Sequence, residues 1–323
     1  MKNSLTFIDF CAGVGGFRQG LTLAGHTPIG FCEKDKFAVK SYRAMYGTDG
    51  EWFENDIKQI NPRGIPNADL WCFGFPCQDI SVAGKQGGLD GERSGIYFKI
   101  INLIKGKSEE DKPKYLLIEN VKNLLSVNRG WDFARVLLEL DEAGYDAEWQ
   151  VLNSKDFGVP QNRERVYIVG HLRSRGGRKI LPVGGENSST LKQLVGGSQG
   201  NRVYAVEGTS CTLKALGGGQ GAKTGLYLVK AVLTPDRLNK RQNGRRMKDS
   251  SEPMFTITSQ DRHGVAINNR IRRLTPRECF RLQGFSDELF CKASEVNSDA
   301  QLYKQAGNAV TVNVIYTLGL LLG

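Results

Sequence analysis

A chain of 323 residues with 40% hydrophobic content has room for a large domain, a smaller one and a real core. No stretch approaches about 18 consecutive apolar residues and the N-terminal MKNSLTFIDF lacks a signal-peptide pattern, which predicts a cytoplasmic protein with no membrane partner. Seven scattered cysteines (Cys11, Cys32, Cys72, Cys77, Cys211, Cys279, Cys291), none in Cys-x-x-Cys spacing, and only three histidines speak against a disulfide framework or a metal site. The thiols are expected to be reduced, six of them buried filler. The net charge of +10 is regional: from Leu172 to Arg273, 19 Lys/Arg stand against 6 Asp/Glu. A charge run is commonly a solvated face, but cations clustered in one Gly-rich segment point to a polyanion surface.

In chain order, LTFIDF, TPIGFCE, ADLWCFGF, YLLIEN, AEWQVLN and RVYIVG alternate with helical stretches, which predicts a mostly parallel α/β sheet. The last two runs are separated only by SKDFGVPQNRE, too short for a crossover helix, so Arg165–Gly170 is expected to be antiparallel. After about residue 175, glycine clusters and basic residues mark a second domain with short strands, as in RVYAVEG and LYLVKAVL. The chain becomes helical again from Thr275, and Asn308–Leu322 reads as a buried helix returning to the first domain.

Asp9-Phe10-Cys11-Ala12-Gly13-Val14-Gly15-Gly16-Phe17 is a strand, a glycine turn and a helix start, placing backbone N–H groups beside a ligand. Arg18 stands where a dinucleotide fingerprint would carry its third glycine, which disfavours a pyrophosphate cradle and suits a smaller nucleoside. Glu33, at the next strand end, fits a carboxylate for two ribose hydroxyls, and Asp56-Ile57 is placed to meet an adenine.

Gly74-Phe75-Pro76-Cys77-Gln78 follows an inner strand, putting Cys77 at the sheet's carboxyl end, whereas Cys72 within the strand is expected in the core. The next strand aims Glu119 at the same crevice, and Arg163 and Arg165, two apart in Gln161-Asn162-Arg163-Glu164-Arg165, should share one face. A thiolate, a carboxyl group and guanidinium groups on a nucleoside site suit attack on a pyrimidine. Cysteine adds to C6, the acid steadies N3, arginine holds O2, and C5 can then take the methyl of a sulfonium.

These segments, in this order, resemble the cytosine-5 DNA methyltransferase family. Further matches are Arg273-Leu274-Thr275-Pro276-Arg277-Glu278, Arg281-Leu282-Gln283-Gly284-Phe285 and Gln305-Ala306-Gly307-Asn308-Ala309-Val310. The resemblance implies a Rossmann-like S-adenosylmethionine-dependent fold, with a catalytic domain (1–180 with 300–323) and an irregular, β-rich target-recognition domain (181–299). It implies that Cys77 is the nucleophile, Glu119 binds N3 and N4, and Arg163 with Arg165 lie near O2. Asp9, Cys11, Ala12, Gly13, Gly15, Gly16, Phe17, Glu33, Lys34, Asp56, Ile57, Pro76 and Asn308 would surround S-adenosylmethionine, with no metal.

Gly197–Tyr204 and Leu216–Val229 are similar to the recognition loops of HhaI-type bacterial members, which methylate within GC-containing palindromes; Pro235–Val265 has no clear counterpart there. A stacked cytosine cannot reach a strand-end cysteine, so the base must leave the duplex. Ser81–Arg93 reads as a closing lid. DNA contacts are expected from Ser81, Lys85, Gln86, Arg93, Gln199, Arg202, Lys214, Gly217, Gly218, Gly219 and Lys223, with Gln199 as candidate for the orphaned guanine. Arg245, Arg246 and Lys248 could read bases, although phosphate contacts are commoner. The expected setting is a monomer on double-stranded DNA in a bacterial or phage-infected cell, paired in function with a restriction endonuclease. Rival readings are a tRNA methyltransferase, an idle DNA-binding regulator, a nicotinamide oxidoreductase disfavoured by Arg18, and a zinc deaminase excluded by its missing His-x-Glu and Pro-Cys-x-x-Cys pattern.

Overall fold

The computed structural model describes residues 4–75, 95–176, 179–184, 193–195, 203–204, 230–233, 247–249, 252–259, 262–267 and 270–323. Seven strands form the main sheet: β1 (Thr6–Phe10), β2 (Thr27–Cys32), β3 (Trp52–Glu54), β4 (Leu70–Gly74), β5 (Tyr115–Val121), β6 (Tyr145–Asn153) and β7 (Glu164–Leu172). Their order is β3-β2-β1-β4-β5-β7-β6. All neighbours pair in parallel except β7, which runs antiparallel to both β5 and β6, so the expected single reversed strand is present. Strands β1 and β4 are buried along nearly their whole length, as helices on both faces require. The chain winds from β1 outward to β3 and then crosses back to β4, which makes the β1/β4 crevice a switch point where α/β ligands bind.

The helices of the large unit are α1 (Gly16–Leu23), α2 (Lys36–Tyr46), α3 (Gly95–Lys105) and α4 (Trp131–Glu142). Helix α2 starts where the Asp35 carboxylate accepts the amides of Phe37 and Ala38. One core layer joins Ile8, Phe10, Trp71 and Phe73 to Tyr97, Ile100, Ile104 and Val136. The opposite layer joins Phe7, Phe17, Leu21 and Leu117 to Val314, Ile315 and Leu318.

Short antiparallel pieces make the second region: β8 (Gln193–Val195) with β9 (Val203–Tyr204), and β10 (Lys230–Leu233), β11 (His263–Ile267) and β12 (Arg270–Arg273) in one sheet. The last two strands were not anticipated. Helices α5 (Pro276–Leu282), α6 (Asp287–Val296), α7 (Asp299–Asn308) and α8 (Val312–Leu322) follow. Helix α5 opens on a reciprocal box in which Thr275 and Glu278 satisfy each other's amides, with Pro276 in the first turn. The single helix expected over Asn308–Leu322 is broken: α7 ends at Asn308, residues 309–311 are extended or irregular, and α8 begins at Val312. Apolar composition announced burial there but not the interruption at 309–311 that separates α7 from α8.

Helix α8 lies on α1 because two glycines allow it. A Cβ on Gly16 would sit 2.4 Å from the Val310 carbonyl oxygen, and one on Gly20 would sit 2.6 Å from Ile315 Cβ. His26 fastens the same ends: its Nδ1 accepts the Leu5 amide and its Nε2 donates to the Gly319 carbonyl.

Candidate active site

Three strand ends build the cofactor side. At the end of β1, Cys11, Gly13 and Gly15 have φ of 55°, 57° and 80°, a run of left-handed residues that turns the chain sharply into α1. Gly13 faces open space, with nothing within 4 Å of an added Cβ. Its amide donates to Glu33 Oε2 at 2.8 Å, while the Asp35 amide donates to Glu33 Oε1 at 2.7 Å. Each carboxylate oxygen keeps a second lone pair, the number two ribose hydroxyls need. Burial pushes Glu33 above the ordinary glutamate range, against the lowering effect of those two amides. Beyond β3, Asp56 accepts the Lys58 amide and an ion pair from Lys34 Nζ at 2.8 Å, and the Lys34 bond holds its carboxyl below the usual range.

The remaining predicted cofactor residues divide by burial. Ala12, Gly15, Gly16 and Phe17 are buried in the turn, Phe17 in the core layer against α8, and Ile57 packs under the sheet. Asp9 is fully buried, and desolvation drives its pKa well up against the lowering effect of the Arg18 backbone amide. Asn308 is exposed at the end of α7. Arg18, which argued against a dinucleotide, plays a structural part. It makes a two-pronged ion pair with Glu51 at 2.6 and 2.8 Å and lies over the Tyr42 and Tyr46 rings. Tyr46 in turn donates to the Val14 and Gly15 carbonyls, so Arg18 braces the glycine turn from behind.

On the chemical side, Glu119 pairs in register with Gly74 on β4, and its Oε2 lies 3.4 Å from where a Gly74 Cβ would be. Arg165 Nε meets Glu119 Oε1 at 3.1 Å, both side chains largely enclosed. The neighbouring Asn120, buried, donates to the Phe75 carbonyl at 3.3 Å and accepts the Val121 amide, tying the end of β5 to the chain that enters Pro76-Cys77-Gln78. Arg163 and Arg165 do not serve the same partner. Arg163 precedes β7 and sends its guanidinium to the carbonyls of Ile257 and Ala309, each at 2.9 Å. Arg163 is still close enough to Arg165 and Glu119 to feel their charges, so what separates the two arginines is their hydrogen-bond partners.

Cys72 is in the core as expected. Buried filler describes Cys32, Cys72 and Cys279, but Cys291 is exposed on α6 and Cys11 is half-exposed in the turn. Lys248 donates to the Pro253 carbonyl and lies over the Phe255 ring. Pro76, Cys77, Gln78, Ser81, Lys85, Gln86, Arg93, Gln199, Arg202, Cys211, Lys214, Gly217, Gly218, Gly219, Lys223, Arg245 and Arg246 lie outside the described residues. Sequence reading assigned no role to Asn120, Gln161 or Gln283. Gln161 and Gln283 are fully buried, and nothing in the local sequence marks them as such.

The sequence profile of C-5 cytosine-specific DNA methylases matches residues 5–321. An orphan methyltransferase of Bacillus phage SPbeta, M.SPBetaI, is 32% identical, covering 98% of this chain and 97% of its own. The type II methyltransferase M.HhaI of Haemophilus parahaemolyticus is also 32% identical, covering 96% and 92%. Among solved structures, the Dnmt2 methyltransferase of S. pombe superposes with a TM-score of 0.69 at 20% identity, over 98% of each chain, a likeness of fold. With a carboxylate and guanidinium paired between β5 and β7 beside the end of β4, and a profile match along nearly its whole length, the chain belongs to the C-5 cytosine-specific DNA methylase family and is a DNA cytosine methyltransferase.

Proposed function

We propose that the protein methylates C5 of a cytosine rotated out of duplex DNA, within a short GC-containing sequence, through a bond between Cys77 and C6. The observation that carries this reading is the Glu119–Arg165 pair beside Gly74. Cys77 follows Gly74 by three residues in the sequence, and three residues span at most about 11 Å, a reach that supports pairing the thiol with the acid. S-adenosylmethionine, when bound, supplies an electrophilic methyl on a sulfonium. Glu33 would take its ribose hydroxyls, Asp56 its adenine amino group, and the open face of Gly13 with Asn308 would flank it; the spare lone pairs of Glu33 and the space over Gly13 fit that ligand.

The chain's own residues account for the polar steps. The Cys77 thiolate gives an electron pair to C6, and negative charge develops at N3 and O2, where hydrogen bonds donated by the Glu119 carboxyl and the Arg165 guanidinium stabilise it. C5 then bonds the methyl carbon as the carbon–sulfur bond breaks. Loss of the C5 proton to a base and departure of Cys77 restore the aromatic ring. Rotating the base out of the stack requires a few kcal/mol, met by contacts elsewhere on the DNA.

Residues 1–180 with 300–323 would be the catalytic unit and 181–299 the recognition unit, with Ser81, Lys85, Gln86, Arg93, Gln199, Arg202, Lys214, Gly217, Gly218, Gly219 and Lys223 toward DNA. A monomer suffices for one duplex, and a restriction endonuclease of the same specificity is the fitting partner in function. The test is base-resolution mapping of 5-methylcytosine on plasmid DNA incubated with the protein and S-adenosylmethionine, with Cys77→Ser alongside. Methylation at one short motif, lost in the variant, is expected. Cofactor binding without duplex methylation would sink the reading and send the search to tRNA.

A further inference from the structure

We propose that Arg163 is a positioning residue that clamps segment 252–259, at the edge of the recognition unit, to the Asn308 loop, so that cofactor binding and the placement of the recognition unit are coupled. The inference rests on the reading above that Asn308 borders the cofactor. Arg163 is a buried cation with no carboxylate partner among the described residues. Its Nη1 donates to the Ile257 carbonyl and its Nη2 to the Ala309 carbonyl, both at 2.9 Å, and both nitrogens reach the Gly307 carbonyl at 3.4 Å. Burying a guanidinium without a counter-ion is strongly unfavourable unless dipoles converge on it. Here three carbonyls do, and they come from two segments far apart in the chain, on either side of the cation. Burial together with the neighbouring Arg165 charge pushes its pKa down to about 9, which leaves it cationic at neutral pH.

The two clamped segments also touch directly. A Cβ on Gly307 would lie 2.3 Å from the Ser259 nitrogen and 2.4 Å from the Thr258 carbonyl carbon, so the Asn308 loop and segment 252–259 meet backbone to backbone. The connecting segment that leads to Arg163 is stitched to the same stretch. Met254 donates to the Pro160 carbonyl, Asn162 to the Met254 carbonyl, Ile257 to Gln161 Oε1, and the Thr256 hydroxyl to the Asn162 carbonyl. Gln283 Nε2 donates to the Ala306 carbonyl and the Val312 amide to the Gln283 carbonyl, fixing the loop's far side. A shift of the Asn308 loop is therefore a shift at Ile257. Arg163 has only its Nε without a partner, whereas Arg165 faces Glu119; the two arginines act on different steps.

The experiment compares Arg163→Lys, Gly307→Ala and Arg165→Lys for S-adenosylmethionine affinity without DNA, for kcat and KM, and for hydrogen exchange at the Met254 and Ile257 amides. A lysine cannot fork to both carbonyls, so Arg163→Lys should weaken cofactor binding about 5-fold or more and speed both amides. Gly307→Ala should do the same by steric separation. Arg165→Lys should lower kcat and leave cofactor affinity and exchange unchanged. Wild-type affinity and exchange in Arg163→Lys, with kcat reduced, would overturn the clamp in favour of a direct base contact. Should the clamp variants fail to fold, saturating wild type with S-adenosylmethionine decides: the two amides must slow, and unchanged exchange overturns the coupling alone. Wild type that binds no cofactor by calorimetry would instead overturn the functional reading beneath it.

Discussion

Replacing Glu33 by glutamine tests the cofactor side most directly. The carboxylate accepts one backbone amide on each oxygen, from Gly13 and from Asp35. A glutamine offers one oxygen and one NH2, so in either orientation one amide meets a donor and the ribose hydroxyl on that side loses a charged acceptor. A hydrogen bond to a charged group is worth about 1.5–3 kcal/mol, which converts to roughly 10- to 150-fold in affinity. Calorimetric titration of DNA-free protein should show that loss, while kcat at saturating cofactor stays within about threefold, since Glu119 and Arg165 stand on other strands. A pH series adds a second measure. Burial has raised Glu33's pKa in the free protein, and hydroxyl donors favour the ionised form, so the cofactor-bound pKa is lower. Affinity should be level above the raised pKa and fall as pH drops through it, earlier than an ordinary glutamate would allow; Glu33→Gln should lack that fall. Equal affinities for the two proteins, or a wild-type profile flat into acid, would refute the assignment.

Glu119→Gln should reduce kcat by about 10²–10⁴ with S-adenosylmethionine affinity unchanged, measured by single-turnover methyl transfer. Gly20→Ala should destabilise the fold by about 1–3 kcal/mol, read from denaturant or thermal melts, because its Cβ would meet Ile315 Cβ at 2.6 Å and the Val312 carbonyl at 2.8 Å. Brief maleimide treatment of native protein, followed by peptide mass analysis, should modify exposed Cys291 and leave Cys32, Cys72 and Cys279 intact until the chain is unfolded.

Six of the seven strands of the central sheet were readable, because parallel strands buried on both faces are near-continuous apolar runs and the short link before Arg165 left β7 no way to be parallel; β3, three residues at the sheet's edge, was not. The glycine turn was readable too, since its left-handed backbone demands the residues that mark it. What escaped was set by distant partners. Strands β11 (His-Gly-Val-Ala-Ile) and β12 (Arg-Ile-Arg-Arg) are too short to carry a pattern of their own, and β11 is held between β10 and β12. The break at 309–311 follows from the bond between Val312 and the Gln283 carbonyl, and the direction of Arg163 from carbonyls at Ile257 and Ala309. No local pattern encodes such long-range hydrogen bonds.

The contact between α1 and α8 also bears on the order of assembly. The rear of the cofactor turn is completed by Val310, and α1 is roofed by Ile315, so the first loop of the sheet is finished by residues from the other end of the described chain. Closing so long a loop comes late and slowly in folding. A growing polypeptide that has already formed β1 through β7 therefore still lacks a finished cofactor turn. On the proposed reading, competence to bind the methyl donor then arrives only with the fold as a whole.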